Sequence, residues 1–217
     1  MDMGFWGWVY FLTQEYGTVF LNGAGIALFL AVMGTLLGTL IGSCGCVLAA
    51  IPSLPEDKRI KRLTLHAVRW LVAAYVWLLR GTPMMVQAMV IYYGASALFQ
   101  WDLNPISAGL FVVSINTGAY MVETMRGGIQ SVDPGQMEGA KAIGMGYFQA
   151  MRLIILPQAF RNIIPQIGNN FIINIKDTAV LSVISVTDLF FVHKSVAGAL
   201  YTYFASATIV MVIYLIM

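Results

Sequence analysis

The chain has 217 residues, of which 59% are hydrophobic and only 10% charged, with a mean hydropathy of +0.79. A water-soluble domain of this size carries about a quarter charged residues, so the composition excludes an ordinary soluble fold and makes a bilayer the solvent. The formal net charge of +2 is too small to argue for nucleic acid.

The segment from Phe5 to Phe20 mixes Trp6, Trp8, Tyr10 and Tyr16 with Gln14 and Glu15. It reads as an interfacial, aromatic-belt segment, residues 1–20, ahead of a membrane domain at 21–217. Asp2 and the lack of a basic stretch argue against a cleavable leader. Leu21 to Ile51 contains no charged residue and is long enough for a tilted first span. Gly34, Gly38, Gly42 and Gly45 recur there near helical spacing, as close helix packing in lipid wants. Cys44 and Cys46 lie in this run. They fit neither zinc spacing nor a disulfide framework, and with His66 and His193 far apart no metal site is expected.

Pro52 to Arg62 is a polar loop, and Leu63 to Leu79, interrupted by His66 and Arg69, reads as an amphipathic helix at the membrane surface. Arg80-Gly81-Thr82-Pro83 breaks the chain, with Pro83 placed to begin the next helix. The second span is expected over 84–99, a turn over 101–105, the third span over 106–125, the fourth from about 161 to 186 and the fifth from about 201. The apolar end at Met217, with no polar tail, leads to the expectation of a longer natural chain. Placing the N-terminus outside puts ten of the 12 basic residues on the inner side, which favours five spans, N-terminus out and C-terminus in.

Asp133-Pro134-Gly135-Gln136 is a helix start, with Asp as N-cap and Pro at the first helical position. A helix of about ten residues follows. It is interrupted by Gly144 and Gly146, and a second amphipathic piece from Tyr147 ends at Leu156-Pro157. Two short helices hinged at glycines would form a protrusion on the inner side that can take a push from a soluble partner.

Polar side chains within spans are costly and are functional candidates. Gln166, Asn170, Asn174 and then Asp177 or Thr178 recur at helical spacing on the fourth span, and Asn116, Tyr120 and Glu123 on the third. Two such stripes could line a path for a zwitterion, or could serve interhelical hydrogen bonds alone. Lys176 and Asp177 diverge by about 100° on a helix and need separate partners. Glu123 and Arg126, three apart, suit an interfacial ion pair better than a substrate contact. Arg80 has two readings, a tie between its corner and the loop at 133–157 or a positive-inside anchor.

Glu138-Gly139-Ala140, three residues, Gly144, nine residues, then Ile154-Ile155-Leu156-Pro157 resembles the EAA loop of bacterial ABC-importer permeases. Gly139 stands where that family usually has Ala. Arg80-Gly81-Thr82-Pro83, the block of Gly118, Ala119, Tyr120, Glu123 and Arg126-Gly127-Gly128, and Lys176-Asp177-Thr178 are similar to the polar amino acid subfamily (histidine, glutamine, arginine and glutamate uptake). The resemblance implies an all-α, multi-pass permease of the type I importer fold in a bacterial cytoplasmic membrane. Residues 133–157 would be the coupling loop, with Glu138, Gly139, Ala140, Lys141, Gly144, Leu156 and Pro157 at its contact with the ATPase. It further implies a second permease subunit, two cytoplasmic ATPases holding ATP and magnesium, and an external binding protein. The chain itself carries no GxxxxGK[ST] motif, so it is expected to bind no cofactor and to catalyse nothing alone. The cargo reads as a polar amino acid, with glutamine the nearest match. The alternative is an ion-gradient-driven secondary transporter subunit, which would share Lys176 and Asp177 but has no use for the loop.

Overall fold

The computed structural model describes residues 3–51 and 58–217. All regular elements among these residues are helical, with no strand among them. The helices are α1 (Phe5–Ala50), α2 (Arg59–Gly81), α3 (Met84–Phe99), α4 (Pro105–Gln130), α5 (Pro134–Ala142), α6 (Tyr147–Ala150), α7 (Leu156–Asp177), α8 (Leu189–Leu200) and α9 (Tyr203–Ile216). A π turn at Met151–Ile155 joins α6 to α7, and a 3-10 turn at Thr178–Ile184 follows α7. Most of the polar loop at 52–62 lies outside the described residues.

Two compact units are present: Met1–Gly34 with Pro83–Val113 and Phe171–Met217, and Thr35–Thr82 with Ser114–Asn170. The first contains two apolar clusters. One joins Leu12 and Phe20 of α1 to Leu189, Val192 and Val196 of α8 and Val210 of α9. The other joins Leu30, Ala88 and Val112 to Leu181, Ile184 and Val186 of the 3-10 turn and the segment after it. The second unit is built on Cys46, Met125, Val132, Ile155, Ala159 and Ile163.

The glycines of α1 pack as their spacing anticipates. A Cβ on Gly38 would lie 2.6 Å from Thr117 Cβ, and one on Gly42 would collide with Met121. Close backbone approach is what small residues permit in lipid, where apolar burial supplies no driving force between helices.

Three expected segments gain detail. α1 is one continuous helix of 46 residues from Phe5 to Ala50, so the aromatic stretch at 5–20 runs without a break into the apolar run after it. The row at 63–79 belongs to a 23-residue helix packed on its neighbours within the second unit: Arg69 donates to the carbonyls of Ala49 (3.2 Å) and Ile51 (2.6 Å), and Tyr75 donates to that of Ile115 at 2.6 Å. The connection before the fifth span holds α8, capped by Asp188, whose Oδ1 accepts from Phe191 N at 3.0 Å.

By length and composition two of the described helices, α1 and α4, could cross a bilayer; α3, α8 and α9 are apolar but shorter. The boundaries of α3 coincide with the expected second span at 84–99.

Asp188 was not singled out by its sequence. It is fully buried, and its second oxygen has no hydrogen-bond partner. It sits in the connection ahead of the fifth span, and burial pushes its carboxyl up to about 6 from an ordinary 3.8. The folded state therefore holds the proton more tightly than the unfolded chain, so this group's contribution to stability falls as pH rises from about 4 to about 6 and is flat above. Asp188→Asn keeps the capping oxygen and removes the charge. Its apparent melting temperature should exceed wild type at pH 7.5, by the equivalent of at most about 3 kcal/mol, with the gap closing toward pH 4. A pH-independent difference between the two proteins would refute this account.

Candidate functional site

The loop between α4 and α7 begins as its sequence requires. Asp133 Oδ1 accepts from Gly135 N at 2.7 Å, Pro134 takes the first helical position where no N–H is needed, and α5 follows. The helix ends in a Schellman arrangement: Gly144 N donates to Lys141 O and Met145 N to Ala140 O, both at 3.0 Å. That closure needs a left-handed residue, and Gly144 supplies it with φ +85°.

Ala140 is the buried foot of α5, whereas Glu138, Gly139 and Lys141 are exposed. A Cβ on Gly139 would meet nothing within 4 Å, so no steric reason demands glycine there. Ile143 and Phe148 are 77% and 78% exposed, leaving a charged and apolar outer surface. The inner side of the loop is tied to α7 by Asn162 Nδ2 donating to Ser131 Oγ at 2.9 Å and Gln158 Nε2 to Gln136 Oε1 at 3.3 Å. Neither pair was evident from sequence, because both depend on how the loop folds back.

The second amphipathic piece does not end at Leu156-Pro157. Pro157 has no N–H to give and would leave a gap in an α ladder; it is the second residue of α7, the π turn ends at Ile155, and the helix continues.

The stripe on α4 is already engaged within the second unit. Asn116 Nδ2 donates to Leu79 O at 3.4 Å. The Arg80 guanidinium lies 5.2 Å over the ring of Tyr120 and 3.8 Å from Glu123. Glu123 Oε2 also accepts from Arg126 Nη2, the ion pair expected from their spacing. Arg80 thus ties its corner to α4, a third arrangement beside the two its sequence suggested. Both ion pairs are partly solvated, and such pairs contribute about 0.2–1 kcal/mol each. In the rest of the corner, Gly81 ends α2, Thr82 Oγ1 donates to Leu78 O at 2.9 Å, and Pro83 precedes the first residue of α3 as its cap.

The fourth-span residues do not share one environment. Gln166 is exposed, and Asn170 is half-buried and donates to Gln166 O at 3.0 Å. Asn174 is buried. Lys176 and Asp177 are exposed at the end of α7, while Thr178 is fully buried in the 3-10 turn and donates to Ile175 O at 2.9 Å. The change of winding after Asp177 breaks the 3.6-residue period on which the stripe was read. No group of three or more metal-ligating side chains occurs among the described residues.

Residues 63–217 match the family model described as the binding-protein-dependent transport system inner membrane component. The arginine transport system permease protein ArtQ of Bacillus subtilis is 32% identical over 197 residues, covering 91% of this chain and 84% of that protein. The putative glutamine transport system permease protein GlnP of Rickettsia prowazekii is 33% identical over 184 residues, covering 85% and 79%. A crystal structure described as an amino acid ABC transporter with histidines superposes with a TM-score of 0.86 at 33% identity, over 100% of this chain and 93% of that one.

Proposed function

Because the chain belongs to the binding-protein-dependent transport system inner membrane component family, we propose that it is the permease subunit of an ATP-driven importer carrying a polar amino acid into the cytoplasm by alternating access. The observation that carries this reading is the loop at 133–157: a capped helix closed by a left-handed glycine, footed on Ala140 and presenting Glu138, Ile143 and Phe148 outward. A rigid, outward-facing element of this kind suits a groove on a soluble partner.

In this reading ATP binding draws two such loops together, each on its own permease subunit, and the spans open outward to accept cargo from an external binding protein. Hydrolysis on the two ATPases, with their magnesium, resets the inward state. Five spans with the N-terminus outside place the loop on the cytoplasmic side. Asn116, Tyr120, Glu123, Gln166, Asn170, Asn174, Lys176, Asp177 and Thr178 are the residues we assign to the path. In the conformation described, the Arg80 corner holds the α4 part of it, and Asn174 and Thr178 are covered. The relatives named above point to arginine and glutamine, and of these we favour glutamine or a close relative, on the blocks at 115–132 and 175–183.

Reconstitution with the ATPase and binding protein tests the reading. Uptake of labelled glutamine should require ATP and survive collapse of ion gradients by ionophores. Uptake that continues without ATP while an ion gradient is present would instead favour a secondary transporter.

A further inference from the structure

α2 buries Leu65 and Leu79 and bonds α4 through Tyr75, but its opposite face is uncovered. Arg59, Leu63, His66, Trp70, Ala73 with Ala74, and Trp77 fall along that face at helical spacing, with Arg62 beside Arg59. Leu63, Trp70 and Trp77 are 71%, 70% and 78% exposed. Trp70 and Trp77 stand as walls around a floor of Ala73 and Ala74, and with Leu78 they line a shallow groove of about 570 Å³.

Among the described residues, basic charge free of protein partners is concentrated at the start of this face, the Arg80 guanidinium at its far end being turned to Tyr120 and Glu123 of α4. Lys58, Arg59 and Arg62 are exposed at its start, and Arg59 to Gly81 contains no acidic residue at all. Arg59 and Trp70 are eleven residues apart, which is about 16 Å along a helix axis. A cationic head followed at that distance by an aromatic-walled apolar trough has the dimensions and the charge order of a phospholipid.

We propose that this face of α2 is a binding site for one anionic phospholipid, its phosphate held by Arg59, Arg62 and His66 and an acyl chain lying between Trp70 and Trp77. Charge complementarity selects the lipid class. The ammonium of a zwitterionic headgroup would sit among like charges, whereas basic side chains near an anionic lipid surface gain roughly fivefold in affinity each. The site depends on the chain being embedded in a bilayer, but not on the cargo or the ATPase.

The test uses the full chain in lipid nanodiscs, with Trp6, Trp8 and Trp101 replaced by phenylalanine so that Trp70 and Trp77 alone report. Brominated phosphatidylglycerol and brominated phosphatidylcholine are compared as quenchers. The glycerol lipid should quench at a mole fraction roughly tenfold lower, the preference should shrink at high salt, and Arg59→Gln with Arg62→Gln should abolish it. Equal quenching by the two lipids would overturn the proposal, as would a preference that survives the double substitution. Relief of quenching by excess inorganic phosphate would reveal a bare anion site and refute the lipid assignment. If the triple phenylalanine chain does not insert, native mass spectrometry of the unaltered chain with the same two lipids makes the same comparison and decides by the same outcomes.

Discussion

Gly144→Val is expected to abolish uptake while leaving the permease inserted in the membrane at wild-type levels. The residue holds φ +85°, and a β-branched side chain in that region is strained by about 1–3 kcal/mol, roughly 5- to 150-fold in the population of the native loop. Space is not the obstacle, since a Cβ there would meet nothing within 4 Å. The penalty is wholly in the backbone, so Gly144→Asn, which tolerates the left-handed region, should retain most of the activity. The closure that orients α5 against Met145 and α6 is lost with valine, and co-purification with the ATPase should weaken in parallel. Full uptake by the valine variant would show that the loop's shape does not carry the coupling.

The second large effect is on stability. A Cβ on Gly118 would lie 2.5 Å from the Tyr75 hydroxyl and 2.8 Å from Ile41 Cγ2. Gly118→Val must therefore push α1 and α2 away from α4 within the second unit and break the bond from Tyr75 to Ile115 O. Overpacking costs about 1–3 kcal/mol and the lost hydrogen bond about 1 more. At 2–4 °C per kcal/mol for a chain of this length, the apparent melting temperature should fall by roughly 4–16 °C. Tyr75→Phe removes only the bond and should cost about 1 kcal/mol. Equal losses in the two variants would mean that the hydroxyl, not the close approach, is what Gly118 protects.

What could be read in advance was what local chemistry decides. The Asp133-Pro134 start, the glycine closure at 144, the extent of α3 and the Glu123–Arg126 pair all follow from residues within a few positions of one another. The α1 glycine row also gave its packing role, though not its partners. Contacts made across the fold were out of reach: Arg80 over Tyr120, Ser131 with Asn162, and the burial of Asn174.

One miss was local and could have been avoided. Asp188 followed by Leu189-Phe190-Phe191 is a capping signal that the apolar surroundings masked. Amphipathicity at 63–79 showed that this helix has a packed face, but not which neighbours it packs on. The polar stripe on α7 failed for a third reason. Its period was extrapolated past Asp177, where the backbone changes its winding.

The π turn at Met151–Ile155 bears on that same helix. Its ladder runs i to i+5 rather than i to i+4, so it accommodates about one residue more than an α turn. Rewinding those five residues into an α ladder would rotate everything after them by roughly 100°. Ala159 and Ile163 would then leave the core of the second unit. The azimuth of α7 is thus set by five residues of the surface loop, and α6 and α7 form one shaft with no free joint between them.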